Sequence, residues 1–320
     1  MTQKEPLLVA LKNRVLLFDG AMGTEIQKFD PKPEDFPDSK DGFNDGLVQT
    51  HPEWIKQIHK NYLDAGADCI ETNSFGSNKI KLDEYGFGDQ TVEFNRKIAQ
   101  LASEVCIEYA DKPRYVIGSM GPSGYLPSSN DPDLGQKPLD EIREAFELQA
   151  EGLILGGVDA LLIETSQDIL EVKLVIEACH DAMKKIEKKV PIIANTTLDQ
   201  YGKMLLGTNI QAAYTTVSGM GIDVFGLNCS TGPIEMTPSV RWLDEQKEHS
   251  LLVVPNAGMP ENQGGQAVYK MTPQKMADAL GDFLVNYPNV RIIGGCCGTN
   301  PEHISALRKV IDEKGTSTKG

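Results

Sequence analysis

The sequence lacks the features of a membrane or secreted protein. No apolar run reaches the roughly 18 residues that a transmembrane helix needs. The apolar stretch near the N-terminus is broken by Lys12, Asn13 and Arg14, unlike the continuous apolar core of a signal peptide. We therefore expect a cytoplasmic protein that has no membrane partner.

Positive charge and cysteine are also scarce. The chain has 31 Lys and Arg against 46 Asp and Glu, a formal net charge of −15, and no Lys/Arg cluster offsets it. Nucleic-acid binding needs a basic surface and is therefore disfavoured. Six cysteines in 320 residues without a leader do not indicate a disulfide framework, so reduced thiols, some of them ligands, are expected.

The chain does contain eight short apolar runs that alternate with longer amphipathic stretches. Strands that are apolar on both faces are typical of a parallel sheet covered by helices. Eight consecutive βα units favour a closed (β/α)8 TIM barrel, here a single domain over residues 1–320 with its core at about 15–313. An open sheet would carry G-x-G-x-x-G after its first strand, and DGAMGTE is not that motif. The runs are 15–20, 67–75, 115–122, 160–166, 191–198, 224–230, 251–258 and 290–299.

Two long segments, 29–46 and 124–138, follow the first and third runs and are predicted to be βα loops. They would lie at the C-terminal face of the barrel, where active sites of this fold are found. The polar tail after Asp312 is predicted to fray.

Three cysteines stand at predicted strand ends. Cys229 closes the sixth run, and Cys296 and Cys297 close the eighth, so all three are expected on one rim. Three thiolates with one open position are typical of catalytic zinc. Adjacent residues share a metal only if the backbone turns between them, and Gly294, Gly295 and Gly298 allow such a turn. From the pattern alone, Cys296 and Cys297 can equally be two small buried core residues.

The remaining candidates are weaker. Cys69, Cys106 and Cys179 are expected to be core or semi-buried thiols, and no histidine has metal-ligand spacing. Asp19 and Glu164 end the first and fourth runs, where a carboxylate can bind an ammonium group, anchor a loop or cap a helix. Glu71 is ambiguous, because strand alternation places it and Thr72 on opposite faces.

Five segments in order, DGAMGTEIQ, ADCIETNSFG, GLNCSTGP, PNAGMP and GGCCGTNPEHI, resemble the homocysteine S-methyltransferase family over about residues 15–310. The resemblance implies Zn²⁺ held by Cys229, Cys296 and Cys297, with Asn256 filling the fourth position when no substrate is bound. It also implies that homocysteine binds through Asp19 and Glu164 at its ammonium group. Backbone amides of Gly20, Ala21, Met22 and Gly23 would bind its carboxylate, and Thr72, Ser74 and Asn228 would line the pocket.

The implied reaction is methylation of homocysteine to methionine. A free thiol has a pKa of about 8.5, and coordination by zinc is expected to remove its proton, so no protein general base is required. Residues 44–77 look most like the N-terminal homocysteine module of cobalamin-dependent methionine synthases, which favours methylcobalamin on a separate corrinoid or folate protein as methyl donor. Two alternatives stay open: S-methylmethionine or betaine as donor, and a homocysteine-capture module that is inactive without a separate corrinoid protein.

Overall fold

A computed structural model describes residues 4–264 and 266–314, and in them eight parallel strands form a closed barrel. The barrel strands are β1 Leu16–Leu17, β2 Cys69–Glu71, β3 Tyr115–Met120, β4 Ala160–Ile163, β5 Ile192–Thr196, β6 Val224–Asn228, β7 Ser250–Val254 and β10 Val290–Ile293. A two-stranded antiparallel hairpin, β8 Glu261–Gln263 and β9 Gln266–Val268, lies between β7 and β10 in the chain. Neighbouring barrel strands pair in the order β1-β10-β7-β6-β5-β4-β3-β2. A parallel bridge between Phe18 and Cys69 joins the two ends of this order.

The barrel strands are buried on both faces. One apolar cluster fills the interior, with Phe18, Ile117, Leu162 and Ile193 among its members. A second cluster packs the outer face of the strands against the helices. This double burial is why the strands are continuously apolar in the sequence.

The helices follow the strands around the outside of the barrel. Gly66 and Gly157 both adopt a positive φ where a helix stops before the next strand. The helices are α1 Leu7–Asn13, α2 Met22–Gln27, α3 Leu47–Thr50, α4 Pro52–Asp64, α5 Lys79–Glu84, α6 Thr91–Glu108, α7 Leu139–Gly156, α8 Ile169–Ile186, α9 Ile210–Val217, α10 Pro233–Gln246, α11 Pro273–Asn286 and α12 Pro301–Lys314.

The N-terminal end of the barrel is covered by α1, which the sequence analysis did not predict. Leu7, Ala10 and Leu11 of this helix belong to the interior cluster. Beside it, the buried carboxylate of Asp68 accepts hydrogen bonds from Lys112 at 2.6 Å and Arg308 at 3.1 Å. This end is therefore sealed, and ligands reach the interior from the opposite end.

The long segment after β1 is ordered at the C-terminal end. It contains three short 3-10 turns, at 33–35, 37–39 and 44–46. Buried Asp45 accepts a hydrogen bond from the backbone N–H of Gly76 at 2.7 Å, and Asn73 donates to the carbonyl of Asn44 at 2.9 Å. These bonds fasten the segment to the loop after β2, so it forms one wall of the opening.

The predicted barrel is confirmed, while several predicted strand ends are wrong. The eighth run, predicted to extend to residue 299, is a strand only to Ile293, because the chain turns at the glycines that follow. The predicted turn at Gly20–Gly23 is partly the start of α2, which begins at Met22. The tail from residue 315 lies outside the described residues. Among the helices of the described ranges, none has the length and apolar character needed to cross a membrane.

Candidate active site and metal centre

A cavity of about 490 Å³ opens at the carboxyl ends of the barrel strands. The strand ends supply most of its polar wall, and the loop at 42–45 closes one side. Carboxylates and thiols therefore share one space, as expected for residues that end parallel strands. The ionisable groups from the strand ends are Asp19, Glu71, Glu164, Cys229, Cys296 and Cys297.

The three predicted cysteines come together in this wall. Their sulfur atoms all lie within 4.8 Å of one another. The Sγ atom of Cys297 is 3.8 Å from that of Cys229 and 4.0 Å from that of Cys296. A tetrahedral zinc with Zn–S bonds of about 2.3 Å places its sulfur ligands about 3.8 Å apart. The spacing of the thiols therefore fits a zinc ion.

Backbone hydrogen bonds hold the two adjacent cysteines in place. The N–H of Cys296 donates to the carbonyl of Pro255 at 2.8 Å, and the carbonyl of Cys297 accepts from the N–H of Ala257 at 3.0 Å. Gly298 has φ +77, and a Cβ atom there would lie 2.3 Å from the ring of Tyr269. The turn that lets both thiols face one point therefore depends on a glycine, as the sequence indicated.

Cys229 reaches the cluster through an unusual backbone. Cys229 and Ser230 have φ values of 59 and 62, in the left-handed region that few residues other than glycine adopt. The N–H of Cys229 donates to the carbonyl of Val254 at 3.2 Å, which ties the end of β6 to the end of β7. Such strain is concentrated at functional sites.

The thiol cluster favours negative charge on one sulfur. Hydrogen bonds from Cys229 and Cys296 lower the pKa of Cys297 to about 3, although burial opposes the shift. Thiolates are soft ligands that prefer Zn(II) to hard cations. Cys69 and Cys179 are buried and Cys106 is half-buried, away from the cluster, which confirms their expected place in the core.

Asn256 lies between the two segments that hold the cysteines. Its N–H donates to the carbonyl of Thr231, two residues after Cys229, at 3.0 Å, and its neighbours Pro255 and Ala257 bond to Cys296 and Cys297 on the other side. It is 2% exposed, and its Oδ1 atom is buried without a hydrogen-bond partner in the part of the chain that the structure describes. Leaving a buried carbonyl oxygen unpaired costs free energy. An oxygen ligand for a metal would remove this cost, so the donor set of the region fits the expected ion.

Two of the three acids that the strand ends supply, Asp19 and Glu164, were predicted. Asp19 accepts from the N–H of Glu71 at 3.0 Å through Oδ2, while its Oδ1 is buried with no partner among the described residues. Burial raises the pKa of Asp19 well above its ordinary value, and the neighbouring charge of Glu164 adds to the rise. Burial likewise raises the pKa of Glu164 to about 7, although the hydroxyl of Ser119 donates to its Oε1.

Glu71 was left ambiguous by the sequence, and the structure places it in the same wall. Strand alternation does not separate it from Thr72, because β2 ends at Glu71 and both residues border the cavity. Burial raises the pKa of Glu71, followed by the charges of Glu164 and Asp19. Three acids therefore face one space, where a cation would stabilise their charged forms.

The turn after β1 approaches this acidic wall closely. A Cβ atom on Gly20 would lie 2.8 Å from Thr299 Oγ1 and 2.9 Å from the ring of Tyr62, so only glycine fits there. The Ala21 N–H donates to Thr299 Oγ1 at 3.2 Å, and the hydroxyl of Tyr62 donates to the Ala21 carbonyl at 3.0 Å. Gly20, Ala21, Met22 and Gly23 all border the cavity.

The other predicted pocket residues have different surroundings. Thr72 borders the cavity, but its Oγ1 accepts from the N–H of Ser119 at 2.9 Å. Ser74 is absent from the described cavity wall; its hydroxyl is 2.6 Å from that of Thr72 and donates to the Ser119 carbonyl at 2.7 Å. Asn228 borders the cavity, with its side-chain amide bonded to Thr165.

Tyr269, which follows the β8–β9 hairpin, was not identified from the sequence. Burial, and then the charge of Cys297, raise the pKa of its hydroxyl. The contact of Tyr269 with Cys297 depends on the β8–β9 hairpin, whose position the apolar pattern of the sequence does not show. The Tyr269 side chain packs directly against Gly298 of the cysteine turn.

Fold and site define the class of protein: a (β/α)8 barrel with a three-cysteine cluster suited to a metal, set in the wall of an acidic cavity. The chain belongs to the homocysteine S-methyltransferase family, whose model matches residues 16–311. The family expected from the sequence is thereby confirmed.

Comparison with individual proteins agrees with this assignment. The chain is 40% identical over 307 residues to a methionine synthase of Mycobacterium tuberculosis and 38% identical over 307 residues to that of Mycobacterium leprae. Each match covers 95% of this chain but 25% of the relative, so the chain spans about a quarter of the length of these curated relatives. The metallated form of MmuM, a homocysteine methyltransferase from Escherichia coli, has the same fold with a TM-score of 0.75, at 23% identity, covering 95% of this chain and 99% of that chain.

Proposed function

We propose that this chain is a zinc-dependent methyltransferase that binds homocysteine and converts it to methionine. The observation that carries the proposal is the shared cavity, in which three sulfur atoms within 4.8 Å of one another lie in the same wall as the strand-end acids Asp19, Glu71 and Glu164. The thiol of the substrate belongs at the cysteines and its ammonium group at the acids. The 40% identity to a methionine synthase of Mycobacterium tuberculosis supports this reaction.

The residues have separate roles in this proposal. Cys229, Cys296 and Cys297 hold the metal, and Asn256 takes the fourth position before the substrate arrives. When bound, zinc supplies a lower pKa for the substrate thiol, so that sulfur is present as the nucleophilic thiolate at neutral pH.

The amino-acid end of the substrate binds at the other strand ends. Asp19 has an unpaired buried Oδ1 that can accept from the ammonium group, and Glu164 is the second acceptor. The amides of Gly20, Met22 and Gly23 bind the carboxylate, whereas the amide of Ala21 is already bonded to Thr299. The hydroxyls of Thr72 and Ser74 support this wall through Ser119 rather than contacting the substrate.

Metal analysis of purified protein tests the zinc ligands. We expect about one zinc ion per chain in the wild type and much less in Cys297→Ala. Cys106→Ala is the matched control, since Cys106 is a half-buried cysteine outside the cluster, and it should keep its zinc. Full zinc content in Cys297→Ala would remove the metal assignment.

We further propose that the methyl donor is methylcobalamin carried by a corrinoid protein or protein region. Two observations support this donor. The 40% identical relative is a methionine synthase four times as long, which leaves room for a donor-binding region. The segment after Glu164, TSQDIL, has no aromatic residue that would face a cationic methyl donor.

A donor comparison tests this proposal separately from the metal. Methionine formation from homocysteine is measured with methylcobalamin, S-methylmethionine and betaine in parallel. Free methylcobalamin should be used with a high KM, because a carrier would otherwise position it. Faster turnover with S-methylmethionine or betaine would overturn the donor and leave the zinc and homocysteine proposals intact. Homocysteine binding without turnover of any donor would instead favour a capture module.

A further inference from the structure

Thr165 is a residue of the cavity wall whose backbone conformation needs an explanation. It follows Glu164 directly after β4 and borders the cavity. Its φ is 57, in the left-handed region. A β-branched side chain is rarely found there, because its Cβ substituents crowd the backbone. The surrounding structure therefore holds Thr165 in a conformation that it would not adopt alone.

Two hydrogen bonds to Asn228 hold Thr165 in this backbone conformation. The backbone N–H of Thr165 donates to Oδ1 of Asn228 at 2.9 Å, and Nδ2 of Asn228 donates to Oγ1 of Thr165 at 2.9 Å. Because a backbone N–H can only donate, these bonds fix which way the side-chain amide of Asn228 points. The pair joins the end of β4 to the end of β6 across β5, which lies between them.

Asn228 connects this pair to both ends of the proposed substrate site. Its Nδ2 also donates to Oε2 of Glu164 at 3.4 Å, on the side of the substrate ammonium. Its carbonyl accepts from the hydroxyl of Thr197 at 3.0 Å, and the next residue in the chain is Cys229. A shift of Asn228 would therefore move a carboxylate and a metal ligand relative to each other.

We propose that Thr165 is a positioning residue that sets the distance between the amino-binding carboxylate of Glu164 and the thiol site at Cys229. It does so by holding the amide of Asn228, and the proposal rests on the function proposed above. Because it fixes a spacing, Thr165 should matter most for a thiol that carries an amino group at the correct distance from its sulfur. A thiol without that group needs no such spacing.

Calorimetric titration of zinc-loaded protein with two thiols tests this. L-homocysteine has the amino group, and 4-mercaptobutanoate has the same chain without it. In Thr165→Val, which keeps the shape but loses Oγ1, the affinity for L-homocysteine should fall about tenfold, the loss of one buried hydrogen bond. The affinity for 4-mercaptobutanoate should change less than about twofold, and zinc content should stay at the wild-type value. Thr165→Ser should restore homocysteine binding.

The matched control is Thr196→Val. Thr196 is a buried threonine at the end of β5, and its Oγ1 makes no hydrogen bond within the described ranges. This variant should bind both thiols as the wild type does. If Thr165→Val does not fold, Thr165→Gly replaces it. Glycine removes the backbone strain and the hydroxyl together, so this variant should fold and still bind homocysteine about tenfold more weakly than the wild type.

Equal losses for both thiols, or unchanged homocysteine affinity in Thr165→Val and Thr165→Gly, would overturn the positioning role. Those results differ from failure of the proposed function, which would appear as absence of homocysteine binding in the zinc-loaded wild type.

Discussion

Replacing Glu164 by glutamine should weaken substrate binding and at the same time stabilise the fold. Glu164 is 6% exposed, and burial raises its pKa from an ordinary 4.5 to about 7. A group with a raised carboxyl pKa makes the folded state less stable as the pH rises from 4.5 to 7, because the unfolded chain ionises first. The difference between these two pKa values corresponds to a loss of about 3 kcal/mol in the free energy of unfolding at neutral pH and above. Glutamine has no charge to bury and removes this cost.

The effect on binding has the opposite sign. In its proposed role, the wild-type carboxylate would accept a charge-assisted hydrogen bond from the substrate ammonium, which is worth about 1.5–3 kcal/mol, or roughly ten- to a hundredfold in Kd. Glutamine can still accept from Ser119, but its NH₂ group would face the donors of Asn228 and the ammonium. Glu164→Gln should therefore have a higher Kd for homocysteine, with zinc content unchanged.

Titration calorimetry with homocysteine and thermal unfolding at pH 6 and pH 8 measure the two effects. Glu171→Gln is the matched control, because burial also raises the pKa of Glu171 to about 7, and it bonds to Ser123 outside the cavity wall. The control should gain stability at pH 8 without any change in homocysteine affinity. Wild-type affinity in Glu164→Gln would refute the ammonium-binding role, and equal stability at pH 8 would refute the electrostatic reasoning.

Two further predictions concern the fold. Burial lowers the pKa of His59 to about 4, so the unfolded chain takes up a proton before the folded one. The free energy of unfolding should therefore fall by about 3 kcal/mol as the pH drops from 6.5 to 4. Unfolding curves of the wild type and His59→Phe should diverge over that range. Asp68→Asn removes the buried negative charge that pairs with Lys112 and Arg308. The free energy of unfolding measured in urea should therefore fall by about 3 kcal/mol. A fall below about 1 kcal/mol would contradict the importance of this network.

The barrel could be predicted because parallel strands covered by helices are apolar on both faces, a pattern that is visible in single runs such as 160–166. The cysteine cluster could be predicted because parallel strands bring their carboxyl ends to one rim, whatever the details of the loops. Helix α1 was missed because its seven residues merge with the apolar start of β1. The β8–β9 hairpin was missed because the residues of β8 are polar and exposed, without an apolar run.

The parts of the site that could not be predicted depend on backbone conformations set by distant contacts. Strand alternation predicts that Glu71 and Thr72 lie on opposite faces of the sheet. Because β2 ends at Glu71, alternation does not apply to Thr72, and both residues border the cavity. Cys229 and Thr165 adopt left-handed φ values that neither residue type favours. Only the contacts with Val254 and Asn228 explain them, and these partners are 25 and 63 residues away in the chain. Local sequence preferences are expected to fail at strained functional positions of this kind.

The distribution of charge in the cavity explains why the strained residues Cys229 and Thr165 lie where they do. Asp19 and Glu164 are buried and Glu71 is half-buried beside them, in a chain whose net charge is already −15, so each raises the cost of ionising the others. Acids this close together are either protonated or charged with a cation between them. In the proposed function, the ammonium group of the substrate would provide that cation for the acids, and a divalent metal would stabilise the thiolates of the cysteines. Homocysteine is a ligand with its cation and its sulfur at opposite ends, and the Thr165–Asn228 pair would hold the two anionic regions at the separation that such a ligand requires.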